Sequence, residues 1–163
     1  MPAPSIELIR GIPLFAEADE RFVERLAGEF MERRYPAGDP IAEEGEAGRT
    51  FFVIESGEAT VTVHGQVVGR LGPGDAFGEM ALIDKSARSA TVRADTDVHG
   101  YQLPVWSFRP FVESHPEMAW ALLEALAQRV REAEARTVPG ANGPQREPAP
   151  RNWTLDLRRP PNA

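Results

Sequence analysis

Residues 50–71 read TFFVIESGEATVTVHGQVVGRL. Three runs rich in Val, Ile, Thr and Phe are separated by Ser-Gly-Glu and His-Gly, residue types that favour tight reversals of the chain. The spacing predicts strands at TFFVIES (50–56), EATVTV (58–63) and QVVGRL (66–71). Moving outward, the same texture fills residues 33–104, with further strands predicted at SATVRA (89–94) and VHGYQL (98–103). PAGD, EGEAG and LGPGD supply the other turns. Turn signals at such close and even spacing argue against βαβ units and for an antiparallel sandwich or barrel.

Helices flank this region. Residues 4–32 read as helical: in ADERFVERLAGEF, Asp19 is placed to cap, and Phe22, Val23, Leu26, Ala27 and Phe30 recur at one-face spacing. Helix returns over residues 105–136, with Ser114 expected to cap and Pro116 to occupy the first turn. MAWALLEALAQRVREAEA then continues for about five turns of 3.6 residues. Its stripe of Ala119, Leu122, Leu123, Leu126, Val130 and Ala133 either packs on its own domain or pairs with a second copy as a homodimer. The expected fold is mainly β with flanking helices, one domain over residues 4–136. A Pro-rich tail, 137–163, holds six of the fifteen prolines and reads as flexible. Within it NWTLDL alternates Trp153, Leu155 and Leu157 with polar residues: either a strand-forming docking peptide or a tail that carries three apolar residues.

The 163 residues suit one domain with an appendage, and a hydrophobic content of 42% is enough for a core. The net charge is −7; the tail, with four Arg against Glu147 and Asp156, carries +2, so the body carries −9. General electrostatics therefore disfavour bare nucleic acid. No cysteine is present, which excludes disulfides and thiolate chemistry. Glu7 and Arg10 interrupt any apolar leader, and MAWALLEALA is broken by Glu124 and too short to span a bilayer, so a soluble, cytoplasmic protein is expected. His64, His99 and His115 show no metal-ligand spacing and read as loop or surface residues; no metal is expected. The Glu43-Glu44 pair has no second group placed to form a catalytic dyad, and neither a nucleophile elbow nor a Walker loop occurs, so an enzyme is not expected.

The chemistry concentrates in LGPGDAFGEMALIDKSARSATVRA, residues 71–94. A glycine-rich turn leads through Phe77-Gly78 into a short helical turn at Glu79–Leu82, and Arg88 stands before the next strand. Helix starts present unpaired N–H groups to an anion, and Gly78 leaves room for close approach. Arg88 offers a planar fork of donors suited to phosphate oxygens, whereas Glu79 suits a ribose hydroxyl. These residues imply a sugar phosphate bridging Glu79 and Arg88. The alternative is that Glu79 and Arg88 simply pair with each other.

FGEMAL…ARSATVRA resembles the phosphate-binding cassette of the cyclic nucleotide-binding domain family, whose members include bacterial catabolite activator proteins and the regulatory subunits of cyclic-AMP-dependent protein kinase. The nine-residue step from Glu79 to Arg88 equals that of the kinase subunits. With LIRGIPLFAEADERFVERLAGEF and YPAGDPIAEEGEAGRTFFVIESGEATV, the resemblance covers about four-fifths of the chain. It implies a jelly-roll-like β-roll (a double-stranded β-helix) with a short cassette helix and a long C-terminal helix, the nucleotide lying between roll and helix. By position, Glu79 would take the ribose 2′-hydroxyl and Arg88 the exocyclic phosphate; the amides of Gly78, Met80 and Ala81 and the Ser89 hydroxyl would complete the cradle.

Two departures qualify this. Many members carry an acid where this chain has Arg49, and in the kinase subunits that acid couples the phosphate-binding Arg to the rest of the domain; Arg49 either adds a second positive charge near the phosphate or points to solvent. The bacterial activators read adenine with hydroxyls late in the long helix, where this chain has Ala133 and Glu134; Glu134 can accept from an adenine or guanine amino group. A hydroxyl at Ser89 also suits guanine in syn, but the resemblance to bacterial single domains favours cyclic AMP over cyclic GMP. Only 27 residues follow Arg136, too few and too Pro-rich for the helix-turn-helix of the activators, so DNA binding is not expected. Two functions stand: a cyclic-nucleotide sensor relaying through helix 116–136 to a partner protein or to self-association, or a nucleotide-free fold serving as an interaction module. Glu79, Arg88 and Ser89 favour the first; Arg49 and Ala133 the second.

Overall fold

The computed structural model describes residues 2–84 and 86–136; the tail and its NWTLDL segment lie outside the described residues. Helix α1 (Ile6–Arg10), a 3-10 turn (Pro13–Phe15) and α2 (Glu20–Ala27) lead into the strands. These are β1 (Met31–Tyr35), β2 (Pro40–Ala42), β3 (Thr50–Ser56), β4 (Ala59–Val63), β5 (Gln66–Leu71), β6 (Ala76–Phe77), β7 (Thr91–Ala94) and β8 (Val98–Pro104). Helix α3 (Glu79–Asp84) separates β6 from β7, and α4 (Val105–Glu113) and α5 (Pro116–Arg136) follow. All pairing is antiparallel, in two four-stranded sheets ordered β1-β8-β3-β6 and β2-β7-β4-β5, the β-roll that the strand spacing and the resemblance anticipate.

Strand β3 explains why the chain folds this way. Successive side chains of a strand point to opposite faces. Phe51 and Val53 enter a core shared with Ile9, Phe15, Phe22, Val23, Leu26, Tyr101, Leu103, Phe108 and Met118, under the helices. Phe52 and Ile54 enter the interior of the roll with Val61, Leu71, Phe77, Val92 and Val98. The unbroken apolar run Phe51–Ile54 is thus buried on both faces. The aromatic rings stack edge-on through the helix-side core: Phe15 lies 6.2 Å from Phe51 and 6.3 Å from Phe108.

Local signals hold where the sequence is explicit. Asp19 caps α2, its Oδ1 accepting from the Arg21 N–H at 3.0 Å. His64 and Gly65 form a two-residue hairpin with φ of 49° and 78°, the sign a right-twisted hairpin needs. Strands β1, β2 and β6 lie outside the five runs named above. In MERRY (β1) three charged residues hide the alternation, and β2 and β6 have three and two residues. Two expectations are corrected. Ser114 terminates α4, its hydroxyl donating to the Pro110 carbonyl at 2.9 Å, and α5 begins directly at Pro116. His99 is not a loop or surface residue: it sits in β8, its ring 20% exposed, with Nε2 2.6 Å from Glu32 and Nδ1 2.7 Å from Glu55.

The stripe on α5 is buried only near its start. Met118 and Leu122 are covered by the 3-10 turn and α4, whereas Trp120 is 71%, Leu123 54% and Val130 47% exposed. Among the described residues no helix is long and apolar enough to cross a membrane, and no cluster of acids or histidines could hold a metal ion.

Two stability predictions follow from this packing. A Cβ on Gly100 would lie 2.2 Å from the Val53 carbonyl and 2.8 Å from the Phe52 ring. Gly100→Ala is therefore expected to destabilise the domain by roughly 1–3 kcal/mol in urea unfolding. The second concerns Glu32, whose carboxyl is held below its ordinary range by hydrogen bonds from Arg34 and then His99. A depressed carboxylate stabilises above its unfolded pKa, and that contribution is lost as pH falls through the folded value. The stability gap between the parent and Glu32→Gln should be full at neutral pH and close on the acid side of the carboxylate range, measured by thermal unfolding against pH.

Candidate functional site

The cassette is built where β6 ends. Phe77 pairs with Phe52 of β3, and Gly78 then turns the chain with φ of 88°, a left-handed conformation that residues with a Cβ rarely adopt. Helix α3 starts at the next residue, Glu79, which is only 4% exposed and is itself engaged within the fold. Met80 and Ala81 contribute the following turn of α3 backbone. After α3, Asp84 accepts from the Ser86 N–H and hydroxyl at 3.0 and 2.7 Å, which holds its carboxyl below the usual range and shapes the loop towards Arg88.

Arg88 is fixed twice. Its backbone is sewn to the turn before β3: its N–H donates to the Glu46 carbonyl at 2.7 Å, and its carbonyl accepts from the Gly45 N–H at 2.8 Å. The bridge Ala47–Ala87 extends this pairing. The side chain then folds back, and Nη2 donates to both the Thr50 carbonyl (2.6 Å) and the Thr50 hydroxyl (2.9 Å). Its other terminal nitrogen lies over Gly78, where a Cβ would come within 2.3 Å of Nη1 and 2.7 Å of the Thr50 carbonyl. Gly78 is thus needed both for its backbone conformation and for the space the guanidinium occupies.

The electrostatics follow from burial. Desolvation pulls the Arg88 guanidinium below its ordinary range, with Tyr35 opposing. Burial pushes the Tyr35 phenol up, while Arg33 and Arg88 pull it down. Tyr35 also packs edge-on against Phe52 with centroids 5.7 Å apart. Among the described residues no ion pair ends on Arg88, and its side-chain hydrogen bonds end on Thr50. A half-buried guanidinium held by neutral acceptors beside a glycine can take an anion.

Gly78, Glu79, the Met80–Ala81 backbone, Arg88 and Ser89 therefore share one corner of the roll, Ser89 being half-buried just before β7. Glu134 lies on a different element, the long helix. It is exposed on α5, sixteen residues beyond the buried Met118 and so about 24 Å along the helix at about 1.5 Å per residue. Arg49 is exposed and adds no charge at Arg88. Thr50 and Tyr35 are the site neighbours that the sequence did not reveal, because Thr50 acts partly through its backbone and Tyr35 lies on the unread β1.

Comparison with known proteins settles the family. The model of the cyclic nucleotide-binding domain matches residues 32–115. The chain belongs to this family. Over 112 residues it is 35% identical to the potassium/sodium hyperpolarization-activated cyclic nucleotide-gated channel 4 of Oryctolagus cuniculus, covering 69% of this chain but only 10% of the channel's length. Among solved structures, the N-terminal domain of a transcriptional regulator from Streptomyces coelicolor A3(2) superposes with a TM-score of 0.74 at 29% identity, over 82% of this chain and 99% of that one. The regulatory domain of Toxoplasma gondii PKA with cAMP superposes with a TM-score of 0.62 at 29% identity, over 68% of this chain and 44% of that one.

Replacing Gly78 by Ala should destabilise the domain by roughly 1–3 kcal/mol, the usual size of an enforced unfavourable backbone conformation. The same change should push the guanidinium off Thr50. Urea unfolding measures the first effect and a crystal structure of the variant the second.

Proposed function

We propose that this chain is a cyclic-nucleotide sensor module, residues 4–136, whose ligand is cyclic AMP. Glu79 accepts from the ribose 2′-hydroxyl. Arg88 holds the exocyclic phosphate with the amides of Gly78, Met80 and Ala81 and the Ser89 hydroxyl. The observation that carries this reading is Arg88 itself: a desolvated guanidinium without an ion pair among the described residues, pressed against Gly78, one residue from a buried Glu79. Taking such a charge out of water is unfavourable unless an anion completes it. Family membership and the cAMP carried by the Toxoplasma relative supply the chemical class.

Output runs through α5, by self-association or by docking to a partner protein. The exposure of Trp120, Leu123 and Val130 on this helix favours a role in contact with another surface. The same exposure is what an interaction module without nucleotide would display, so binding must be measured directly.

Calorimetric titration with cyclic AMP, cyclic GMP and 5′-AMP tests the reading. Saturable binding of cyclic AMP, weaker for cyclic GMP and absent for 5′-AMP, is the expected result. Arg88→Ala should lose about 2–5 kcal/mol of binding, the range for removing one partner of a desolvated charge pair. No heat and no thermal stabilisation at millimolar-scale ligand would sink the proposal.

A further inference from the structure

The Arg88 guanidinium is anchored at a single residue. Both hydrogen bonds from Nη2 end on Thr50, at 2.6 Å on the carbonyl and 2.9 Å on the hydroxyl. The preceding residue, Arg49, turns its side chain to solvent, while its carbonyl accepts from the N–H of Val105, the first residue of α4, at 2.9 Å. Thr50 also borders Gly78, since a Cβ there would sit 2.7 Å from the Thr50 carbonyl. One dipeptide therefore meets the guanidinium, the glycine that admits it and the start of α4.

We infer that Thr50 is the positioning residue for Arg88, a neutral anchor that aims the guanidinium at an anion without neutralising it, and that the 49–50 backbone ties this anchor to α4. The inference rests on the reading of the site as a phosphate pocket. A carboxylate in the anchoring place would neutralise part of the charge that attracts the incoming phosphate. A carbonyl and a hydroxyl fix the direction of the fork yet leave its charge for the ligand. Of the five guanidinium donors, the two on Nη2 are committed to Thr50, which leaves the single N–H of Nε and the two of Nη1, on separate sides of the guanidinium, for the anion. Any pull of a bound anion on those donors acts on Thr50 and, through the Arg49 carbonyl, on the first turn of α4.

Three variants separate the roles. Thr50→Val keeps the side-chain shape and the backbone carbonyl but deletes the hydroxyl, and should weaken cyclic AMP about tenfold, as expected for one hydrogen bond to a charged group. Thr50→Ser should restore affinity close to the parent. Thr50→Asp, which supplies a neutralising carboxylate, should weaken binding further than Thr50→Val. Coupling to α4 is read from Trp106, beside Val105 and 59% exposed, in a Trp120→Phe, Trp153→Phe background. Saturating cyclic AMP should change its fluorescence in the parent, and by clearly less in Thr50→Val, which keeps only the carbonyl bond. Equal affinity of the parent and Thr50→Val, failure of Thr50→Ser to rescue, or an equal fluorescence change in Thr50→Val would overturn the inference.

If the parent itself binds neither cyclic AMP nor cyclic GMP, the proposed function falls, and the anchor is judged on the ligand-free protein. Separate NMR signals from the Arg88 Nη groups in the parent and Thr50→Ser, merged by rotation in Thr50→Val, support it. Identical spectra in all three overturn it.

Discussion

Strand β3 carries two hydrophobic cores on its two faces, and the rest of the molecule is arranged around that constraint. Phe51 and Val53 hold the helices, while Phe52 and Ile54 fill the roll. A slip of one residue would exchange the two sets and break both cores at once, so the register is strongly specified. Because the register is fixed, so is the position of Thr50 at the start of the strand. The guanidinium of Arg88, arriving from a loop thirty-eight residues later, therefore meets a rigid acceptor pair.

The site combines elements that are individually unfavourable. Gly78 adopts a backbone conformation few residues tolerate, Glu79 is almost fully buried, and Arg88 is desolvated. The fold offsets these terms by pairing around them: Phe77 to Phe52, Arg88 to the Gly45–Glu46 turn, and Ala87 to Ala47. The desolvation that lowers the guanidinium pKa also reduces the screening of any anion placed against it. Rigidity and low dielectric thus work in the same direction.

The elements legible in the sequence were those whose signal is local. TFFVIES and QVVGRL match β3 and β5 in extent, because β-branched and aromatic runs and their flanking turns sit within a few residues of each other. Asp19 was readable for the same reason, its bond spanning two residues. MERRY was not, since its strand character comes from pairing with β8, sixty-odd residues away, rather than from its own charged residues. The Gly78-Glu79 and Arg88 constellation was visible through residue type and spacing. Its anchor was not: the acceptor pair is on Thr50, one residue after Arg49, and one of its two bonds uses a backbone carbonyl, which every residue possesses and no side-chain pattern encodes. Ser114 illustrates the remaining ambiguity, as a hydroxyl between two helices can serve the end of one or the start of the next.

Beyond Leu122 the long helix α5 is rich in Ala, Leu, Glu and Arg and carries local contacts such as Gln128 with Glu132 at 3.2 Å. It is held firmly at one end, by Met118 and Leu122, and stiff along the remainder. Mechanically it is a lever with its fulcrum in the core. At about 1.5 Å of rise per residue, a tilt of about ten degrees at Met118 sweeps the region of Ala135 through roughly 4–5 Å. A shift of a few tenths of an ångström near the fulcrum is thereby converted into a displacement at the far end comparable to the spacing between neighbouring strands, and of about 3 Å at Val130, large enough to change which surface that exposed residue can meet.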